Sequence, residues 1–182
     1  MRNFITIFLI VLGAVTFNGC SLKNNNPYNT IKWINEPHLN GYIVGLGIAP
    51  QNRGDDIALQ RSEAMALARD DIARQIETKV GGFLDKFAEE TGEGESAVYA
   101  RDVKQKLRTV VKMKLRGART KKSWMGDNNL YLLMSLETKK VLNMLKITSE
   151  KSNLQSVNTK FQRFLSQKNQ QELEKELERY DK

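Results

Sequence analysis

Cys20 is the residue whose type and position most clearly suggest chemistry. It is the only cysteine in the 182-residue chain. A thiol can form a disulfide, bind a metal ion or accept a lipid chain, and a disulfide within one protomer would need a second cysteine. Asn18 and Gly19 stand directly in front of Cys20, and an apolar run from Phe4 to Phe17 precedes them. A lone thiol that follows an apolar run near the N-terminus favours lipid attachment.

The first residues of the chain have the parts of a secretory signal peptide. Arg2 supplies a positive start, the apolar run forms the hydrophobic core, and Gly19 is a small residue at the expected cleavage site. A transmembrane helix needs about 20 apolar residues, and this run is shorter. Residues 1–19 are therefore predicted to be a signal peptide that is removed after export.

The Gly19-Cys20 pair resembles the lipobox that ends a bacterial lipoprotein signal. Phe17 and Asn18 stand where such signals usually carry Leu and then Ala or Ser. On this resemblance cleavage falls before Cys20, which becomes the lipidated first residue and holds the chain in a lipid bilayer. An ordinary signal peptide whose cysteine is incidental is the alternative interpretation.

A second candidate for chemistry is a basic segment that spans residues 101–122. Ten lysines and arginines lie in it, opposed by a single acid, Asp102. The segment is either a solvated face or a surface for an acidic partner such as lipid phosphates, a polysaccharide or an acidic protein. No aromatic residue interleaves before Trp124, so base stacking is not supported and we expect no nucleic-acid partner. The candidate anion-binding residues are Lys112, Lys114, Arg116, Arg119, Lys121 and Lys122.

Alternation of residue type predicts that part of the basic segment is a strand. Met113 and Leu115 alternate with Lys112, Lys114 and Arg116. Successive side chains of a strand point to opposite faces. The three cations should therefore form one exposed row while the two apolar side chains face inward.

Other motifs that could carry chemistry are incomplete. The single histidine, His38, cannot complete a zinc site of known ligand spacing. Gly45 and Gly47 lack the third glycine and the directly following helix of a dinucleotide-binding loop. Asp70 and Asp71 are neighbours on a predicted helix, so their side chains point about 100° apart and form a poor acid–base pair. We therefore expect a protein that is not an enzyme and that needs neither a metal nor a cofactor.

The remaining pattern predicts an α+β fold in which a long amphipathic helix packs on a small antiparallel sheet. Apolar residues at spacings of three, four and seven predict one helix from Asp55 to Val80, with Ile72 and Ile76 on its buried face. Gly81-Gly82 should interrupt it. The other expected elements are a strand over 41–49, a helix over 97–111, a hairpin and a helix over 137–147. The first strand of the hairpin begins near residue 112 and extends through 118–124, and the second covers 130–136.

This organisation divides the mature chain into three parts. Residues 20–40 are predicted to be a tether, because Asn, Ser, Lys and Pro occur there without periodicity. Residues 41–147 form the α+β domain. Residues 148–182 are predicted to be a helical extension with loosely spaced apolar residues. Three alternatives stay open for the extension: a coiled-coil arm, a helix docked on a partner, or a tail that becomes ordered on assembly.

The order of three motifs resembles a known family. The motifs are Val44-Gly45-Leu46-Gly47 at the end of a strand, an Ala- and Arg-rich helix from Ala64 to Ile76, and the strand segment Leu130-Tyr131-Leu132-Leu133. In this order they resemble the Helicobacter-type twenty-kilodalton lipoprotein family of epsilon-class bacteria over residues 41–145. The resemblance implies an outer-membrane lipoprotein with an α+β domain and no known catalytic residues. Some members of that family are surface antigens, and one is a flagellar lipoprotein needed for motility.

These expectations combine into one functional hypothesis. The chain is predicted to be an outer-membrane lipoprotein that serves in envelope structure or assembly. Self-association and contacts with envelope or flagellar proteins are the expected interactions. Ser21, rather than Asp, follows Cys20, which resembles sorting to the outer membrane. The alternative is a module that binds an anionic polymer or lipid through the basic segment, in line with the formal net charge of +8.

Overall fold

The predicted α+β class is confirmed, with a long helix on a small antiparallel sheet and further helices at the C-terminal end. The computed structural model describes residues 31–92 and 94–180. In chain order the elements are α1 (Lys32–Asn35), β1 (Tyr42–Pro50), α2 (Ile57–Thr91), α3 (Glu95–Lys114), a 3₁₀ turn (Leu115–Gly117), β2 (Arg119–Gly126), β3 (Asn129–Glu137), α4 (Thr138–Glu150), α5 (Gln155–Phe164) and α6 (Gln167–Glu178).

Strands β2 and β3 form the hairpin that the sequence predicts, and β1 pairs with the other side of β3. The strand order is β1-β3-β2, and both pairings are antiparallel. Asp127 and Asn128 connect β2 to β3 with positive φ angles of 48° and 60°. Two positive φ angles suit the twist of a tight hairpin, and Asp and Asn tolerate them better than most residues. The hairpin places the central strand β3 between two edge strands.

Helix α2 is longer than the apolar pattern predicts. Asp56 caps its start by accepting hydrogen bonds from two backbone N–H groups of the first turn. The helix continues through Gly81-Gly82 because Leu84 and Phe87 extend its apolar stripe and are fully buried. A glycine inside a helix costs about 1 kcal/mol relative to alanine. Burial of one Leu or Phe side chain contributes about 1.5–3 kcal/mol and outweighs that cost.

Helix α2 crosses directly over β1, and two glycines permit this approach. A Cβ atom at Gly45 would lie 2.2 Å from the carbonyl oxygen of Ala68. A Cβ atom at Gly47 would lie 1.8 Å from the carbonyl oxygen of Ala64. Both distances are far inside van der Waals contact, so a residue with a side chain does not fit. The two glycines therefore serve helix packing.

Side chains of α2 hydrogen-bond to the backbone of β1. The amide of Gln75 donates to the carbonyl oxygen of Val44 at 2.8 Å. The carboxylate of Asp71 accepts from the backbone N–H of Leu46 at 3.0 Å. Because β1 lies at one edge of the sheet, these contacts satisfy backbone groups that would otherwise need water or another strand.

One apolar core joins the sheet to the helices. Ile72 and Ile76 of α2 are fully buried, as their spacing predicts. Phe161 of α5 and Leu177 of α6 belong to the same core and are also fully buried. The extension predicted over 148–182 thus packs, through α5 and α6, on the domain of its own chain rather than standing off as an arm.

Candidate functional site

Cys20 and the predicted signal peptide lie outside the described residues, so lipidation and cleavage stay predictions. Within the described ranges no helix is both long and apolar enough to cross a membrane. Residues 31–40 of the predicted tether rest on the domain, where α1 contacts β3 and Ile34 is 9% exposed. The described part of the tether is therefore docked.

The single histidine connects the tether to α6. His38 Nε2 lies 2.7 Å from Asn40 Oδ1. His38 Nδ1 lies 3.3 Å from the backbone carbonyl oxygen of Glu178, the last residue of α6. These contacts give His38 a structural role between the two ends of the described chain.

The strand predicted over 112–116 is wrong. Lys112 and Lys114 belong to the last turn of α3, and Arg116 lies in the 3₁₀ turn that follows. Met113 is 60% exposed, so the alternation that predicted a strand came from an apolar residue on the solvent side. A spacing of four residues, typical of one helix face, holds this region against the core. The buried residues at that spacing are Val103, Leu107, Val111 and Leu115.

Three cations in the N-terminal half of the basic segment pair with acids. The pairs are Lys104 with Asp85 at 2.5 Å, Lys106 with Asp102 at 2.8 Å, and Arg108 with Glu77 at 3.1 Å. Two of these pairs join α3 to α2, and the third joins successive turns of α3. The hydrogen bond from Lys106 lowers the pKa of Asp102, with a smaller contribution from Ser152. These cations are engaged within the domain and are poor candidates for binding an external anion.

Cations in the C-terminal half of the basic segment lack such partners. Lys112, Lys114, Arg116 and Lys122 are exposed, and none forms an ion pair with an acid of the described ranges. Lys112 and Lys114 lie in the last turn of α3, where the partial negative charge of a helix end favours cations. The structure thus separates the basic segment into a paired half and an unpaired half.

Strand β2 carries the remaining candidate residues along an edge of the sheet. Arg119, Lys121 and Lys122 are all exposed. The register of β2 against β3 shifts between Thr120 and Lys122, so Lys121 is the extra residue of a bulge. The Lys121 ammonium group lies 4.6 Å from the centre of the Tyr42 ring, a cation–π distance. Because Tyr42 is on β1 and β3 lies between, the Lys121 side chain reaches across the central strand.

A small polar cavity lies where β3 runs into α4. Its volume is about 40 Å³. Ser135 is 3% exposed, and its hydroxyl has no hydrogen-bond partner among the described residues. Glu137 Oε1 pairs with Lys140 Nζ at 2.9 Å. The hydrogen bond from Lys140 lowers the pKa of Glu137, and the positive charges of Lys121 and Arg119 act in the same direction. The residues that line the cavity include Tyr42, Arg119, Lys121, Ser135, Glu137 and Lys140.

Four of these lining residues were not among the predicted site residues: Tyr42, Ser135, Glu137 and Lys140. A signal for Ser135 is present in the sequence, because it is a lone hydroxyl within the apolar segment Leu132–Leu136. A buried hydroxyl needs a hydrogen-bond partner, so a serine inside an apolar strand indicates that a polar group or a ligand lies nearby. Tyr42 and Lys140 join the cavity only through strand pairing and the start of α4, which local sequence does not reveal.

Asp70 and Asp71 have separate structural roles. Asp70 pairs with Arg74 at 3.1 Å on the exposed side of α2. Asp71 accepts a hydrogen bond from the Tyr180 hydroxyl at 3.0 Å, in addition to its bond to β1. Burial raises the pKa of Tyr180, and the charge of Asp71 adds to the rise. Among the residues that the structure describes, no group of three or more His, Cys, Asp or Glu could hold a metal ion.

Comparisons with protein-family models, curated proteins and solved structures give no match for this chain. The resemblance drawn from the three sequence motifs therefore stays a prediction. The separation of paired from unpaired cations is a property of the chain's own geometry and does not depend on that resemblance.

Proposed function

We propose that the chain is a lipid-anchored protein of the outer membrane whose domain has a structural or assembly role without catalysis. The observation that carries the proposal is Cys20, a lone thiol directly after Gly19 and a signal-like apolar run. Each acyl CH₂ buried in a bilayer contributes about 0.8 kcal/mol, so one chain holds a protein only marginally and several acyl chains on one residue anchor it stably. Envelope or flagellar proteins, or further copies of the chain, are the partners that this role implies.

Replacement of Cys20 tests the anchor. We expect Cys20→Ala to abolish incorporation of radiolabelled palmitate and to lower the fraction of the chain that sediments with outer membranes, because the acyl acceptor is gone. Ser21→Ala is the matched control and should leave both measurements unchanged. Palmitate labelling decides the result, because an uncleaved signal peptide can itself retain the variant in a membrane. A Cys20→Ala chain that still incorporates palmitate contradicts the proposal.

The unpaired cations favour a second candidate function, in which the domain binds an anionic polymer or lipid. Lys112, Lys114, Arg116 and Lys122 are exposed and have no acidic partner among the described residues. Such charges attract an anionic surface, and salt screens the attraction beyond a Debye length of about 8 Å at physiological ionic strength. The mature chain carrying Cys20→Ala should therefore sediment with phosphatidylglycerol vesicles at low salt and dissociate at high salt. Failure to bind at low salt contradicts this candidate.

A further inference from the structure

We propose that the cavity between β2, β3 and the start of α4 binds a single phosphate-class oxyanion. Ser135 lines the cavity, and Arg119 and Lys121 are its lining cations without an acidic partner among the described residues. The inference deepens the second candidate function and rests on its premise that this part of the domain meets anions. The second candidate function requires only a general electrostatic attraction to anions, whereas this inference names one ligand group and the residues that bind it.

The hydroxyl of Ser135 is the first observation that points to a ligand. Ser135 is 3% exposed, lines the cavity, and has no hydrogen-bond partner among the described residues. Buried hydroxyls are normally hydrogen-bonded, so an unpartnered one beside a cavity marks the place of a missing acceptor or donor. The cavity volume of about 40 Å³ admits about one or two oxygen-sized atoms. One oxygen of an anion at the mouth can therefore reach the serine.

Strand register brings a guanidinium group and an ammonium group to the same cavity. Arg119 is the direct partner of Ser135 across the β2–β3 ladder, so both side chains lie on one face of the sheet. Lys121 reaches across β3 to the ring of Tyr42 and also lines the cavity. A guanidinium fork and an ammonium point charge are both common ligands of phosphate oxygens. The hydroxyl of Ser135 can donate a third hydrogen bond.

The single acid that lines the cavity does not remove its positive character. The carboxylate of Glu137 pairs with Lys140 at 2.9 Å. Arg119 and Lys121 form no ion pair with an acid of the described ranges. Glu137 is also the N-cap residue of α4, and no side chain caps that helix. The partial positive charge at the N-terminus of α4 therefore adds to the positive potential in the cavity.

Titration with inorganic phosphate tests the site directly. The mature chain carrying Cys20→Ala is titrated and followed through its backbone amide resonances. We expect saturable binding of one phosphate, with the largest shifts around Ser135 and Arg119. Ser135→Ala should weaken the affinity by about tenfold, because one hydrogen bond to a charged ligand is lost. The absence of saturable binding overturns the proposal, and so does an affinity that Ser135→Ala leaves unchanged.

Lys114→Gln and Lys121→Gln form a matched pair. Each removes one exposed cation from the basic segment, but only Lys121 lines the cavity. We expect Lys121→Gln to weaken phosphate binding and Lys114→Gln to leave it unchanged, although both should weaken vesicle binding. Equal loss of phosphate affinity in both variants overturns the site and leaves the second candidate function standing. Saturable phosphate binding by a chain that does not bind vesicles supports the site and removes the second candidate function.

The phosphate group can belong to a lipid headgroup or to a free ion, and two arms of the experiment distinguish these sources. One arm measures binding to phosphatidylglycerol vesicles, and the other measures binding of inorganic phosphate without lipid. If the headgroup is the ligand, Ser135→Ala should weaken binding in both arms, and inorganic phosphate should compete with the vesicles. If free phosphate is the ligand, Ser135→Ala should affect only the second arm. Both outcomes support the site.

Discussion

At the scale of single residues, Gly45 and Gly47 determine how closely α2 approaches β1. On the helix side the contact is made by Ala64 and Ala68, which are fully buried. Two small residues facing two glycines let the helix backbone rest almost directly on the strand backbone. A longer side chain on either element would separate them and weaken the hydrogen bonds that α2 makes to the edge of the sheet.

Gly47→Ala is expected to lower the free energy of unfolding by about 2 kcal/mol or more, because overpacking of a core site costs about 1–3 kcal/mol even where side chains can yield. Here the new methyl group meets the backbone of Ala64, at 1.8 Å from its carbonyl oxygen. Gly82→Ala is the matched control. Nothing lies within 4 Å of a Cβ atom there, and alanine should stabilise the helix by about 0.5–1 kcal/mol. Urea denaturation measures both variants, and a Gly47→Ala chain as stable as the wild type contradicts the close approach.

The burial of a single residue could be predicted where that residue belongs to a periodic apolar pattern. Ile72 and Ile76 follow a helical stripe, and both are fully buried. Ser135 could not be assigned a role in this way, because its significance depends on Arg119 across the sheet and on the lack of a partner for its hydroxyl. Neither of these facts is visible in local sequence.

At the scale of elements, the end of α3 shows where periodicity is ambiguous. Five residues from Lys112 to Arg116 alternate as a strand would. Leu115 nevertheless lies four residues after Val111, and both are buried against the core. Leu115 packs on the core through long-range contacts, and this packing keeps the chain helical here. The pairing of Lys104 and Arg108 with acids of α2 is likewise long-range and was not predictable from the charge pattern of α3.

The junction of α2, α3, α4 and α5 is built around Tyr99 of α3. Its ring centre lies 5.9 Å from that of Phe87 and 5.7 Å from that of Phe161. Its hydroxyl lies 2.8 Å from Asn158 Oδ1 and 3.4 Å from the backbone carbonyl oxygen of Ser149. Burial raises the pKa of Tyr99 from its ordinary 10.0 to about 12. The Tyr99 side chain thus links α3 to three other helices, and its ionisation makes the stability of this packing depend on pH.

Stability is expected to decline in alkaline solution because of Tyr99. Between pH 10 and 12 the unfolded chain releases a proton that the folded chain retains, so the contribution of Tyr99 is complete below that range and is lost as pH rises through it. The loss amounts to about 1.4 kcal/mol for each pH unit in that window. Tyr99→Phe should remove this part of the decline, although it should cost about 1 kcal/mol at neutral pH through the lost hydrogen bond.

Urea denaturation on either side of the ordinary tyrosine pKa measures this effect. The quantity to compare is the difference in unfolding free energy between about pH 9 and about pH 11. We expect a smaller difference in the Tyr99→Phe chain than in the wild type, since lysine ionisation is common to both chains. Equal differences in the two chains contradict a buried hydroxyl at the helix junction.

At the scale of the whole molecule, the two edges of the sheet differ in character. The edge formed by β1 is covered by α2, whose Asp71 also accepts a hydrogen bond from Tyr180 near the C-terminus. The edge formed by β2 is exposed and carries Arg119, Lys121 and Lys122. Charged residues on an exposed edge oppose pairing with strands of other molecules.

The helical content of the C-terminal extension could be predicted, but its position could not. Apolar residues such as Phe161 and Leu177 are spaced for helices. That spacing is compatible with an arm, with a partner contact and with docking on the same domain. Their burial in the same core as Ile72 is a consequence of how α2 and α3 present their apolar faces.

Attraction to an anionic surface should come from the unpaired half of the basic segment. The variant replaces Lys112, Lys114 and Arg116 by Gln. These three cations are exposed and have no acidic partners among the described residues. A basic residue close to an anionic membrane contributes about 1 kcal/mol, so the triple variant should bind phosphatidylglycerol vesicles at low salt about a hundredfold more weakly. Sedimentation of the mature Cys20→Ala chain with vesicles measures the change, and circular dichroism checks that the fold is retained.

The control removes the same amount of charge from the paired half, by changing Lys104, Lys106 and Arg108 to Gln. Those cations are engaged with acids at 2.5–3.1 Å, so their loss also frees three carboxylates and leaves the outward field of the unpaired half intact. We expect the control to lose less vesicle binding than the first triple variant, because the acids already neutralise the paired cations before the change. Stability should fall slightly, because two of the pairs join α3 to α2. Equal loss of vesicle binding in the two triple variants would show that net charge alone attracts the membrane, and it would contradict a localised surface.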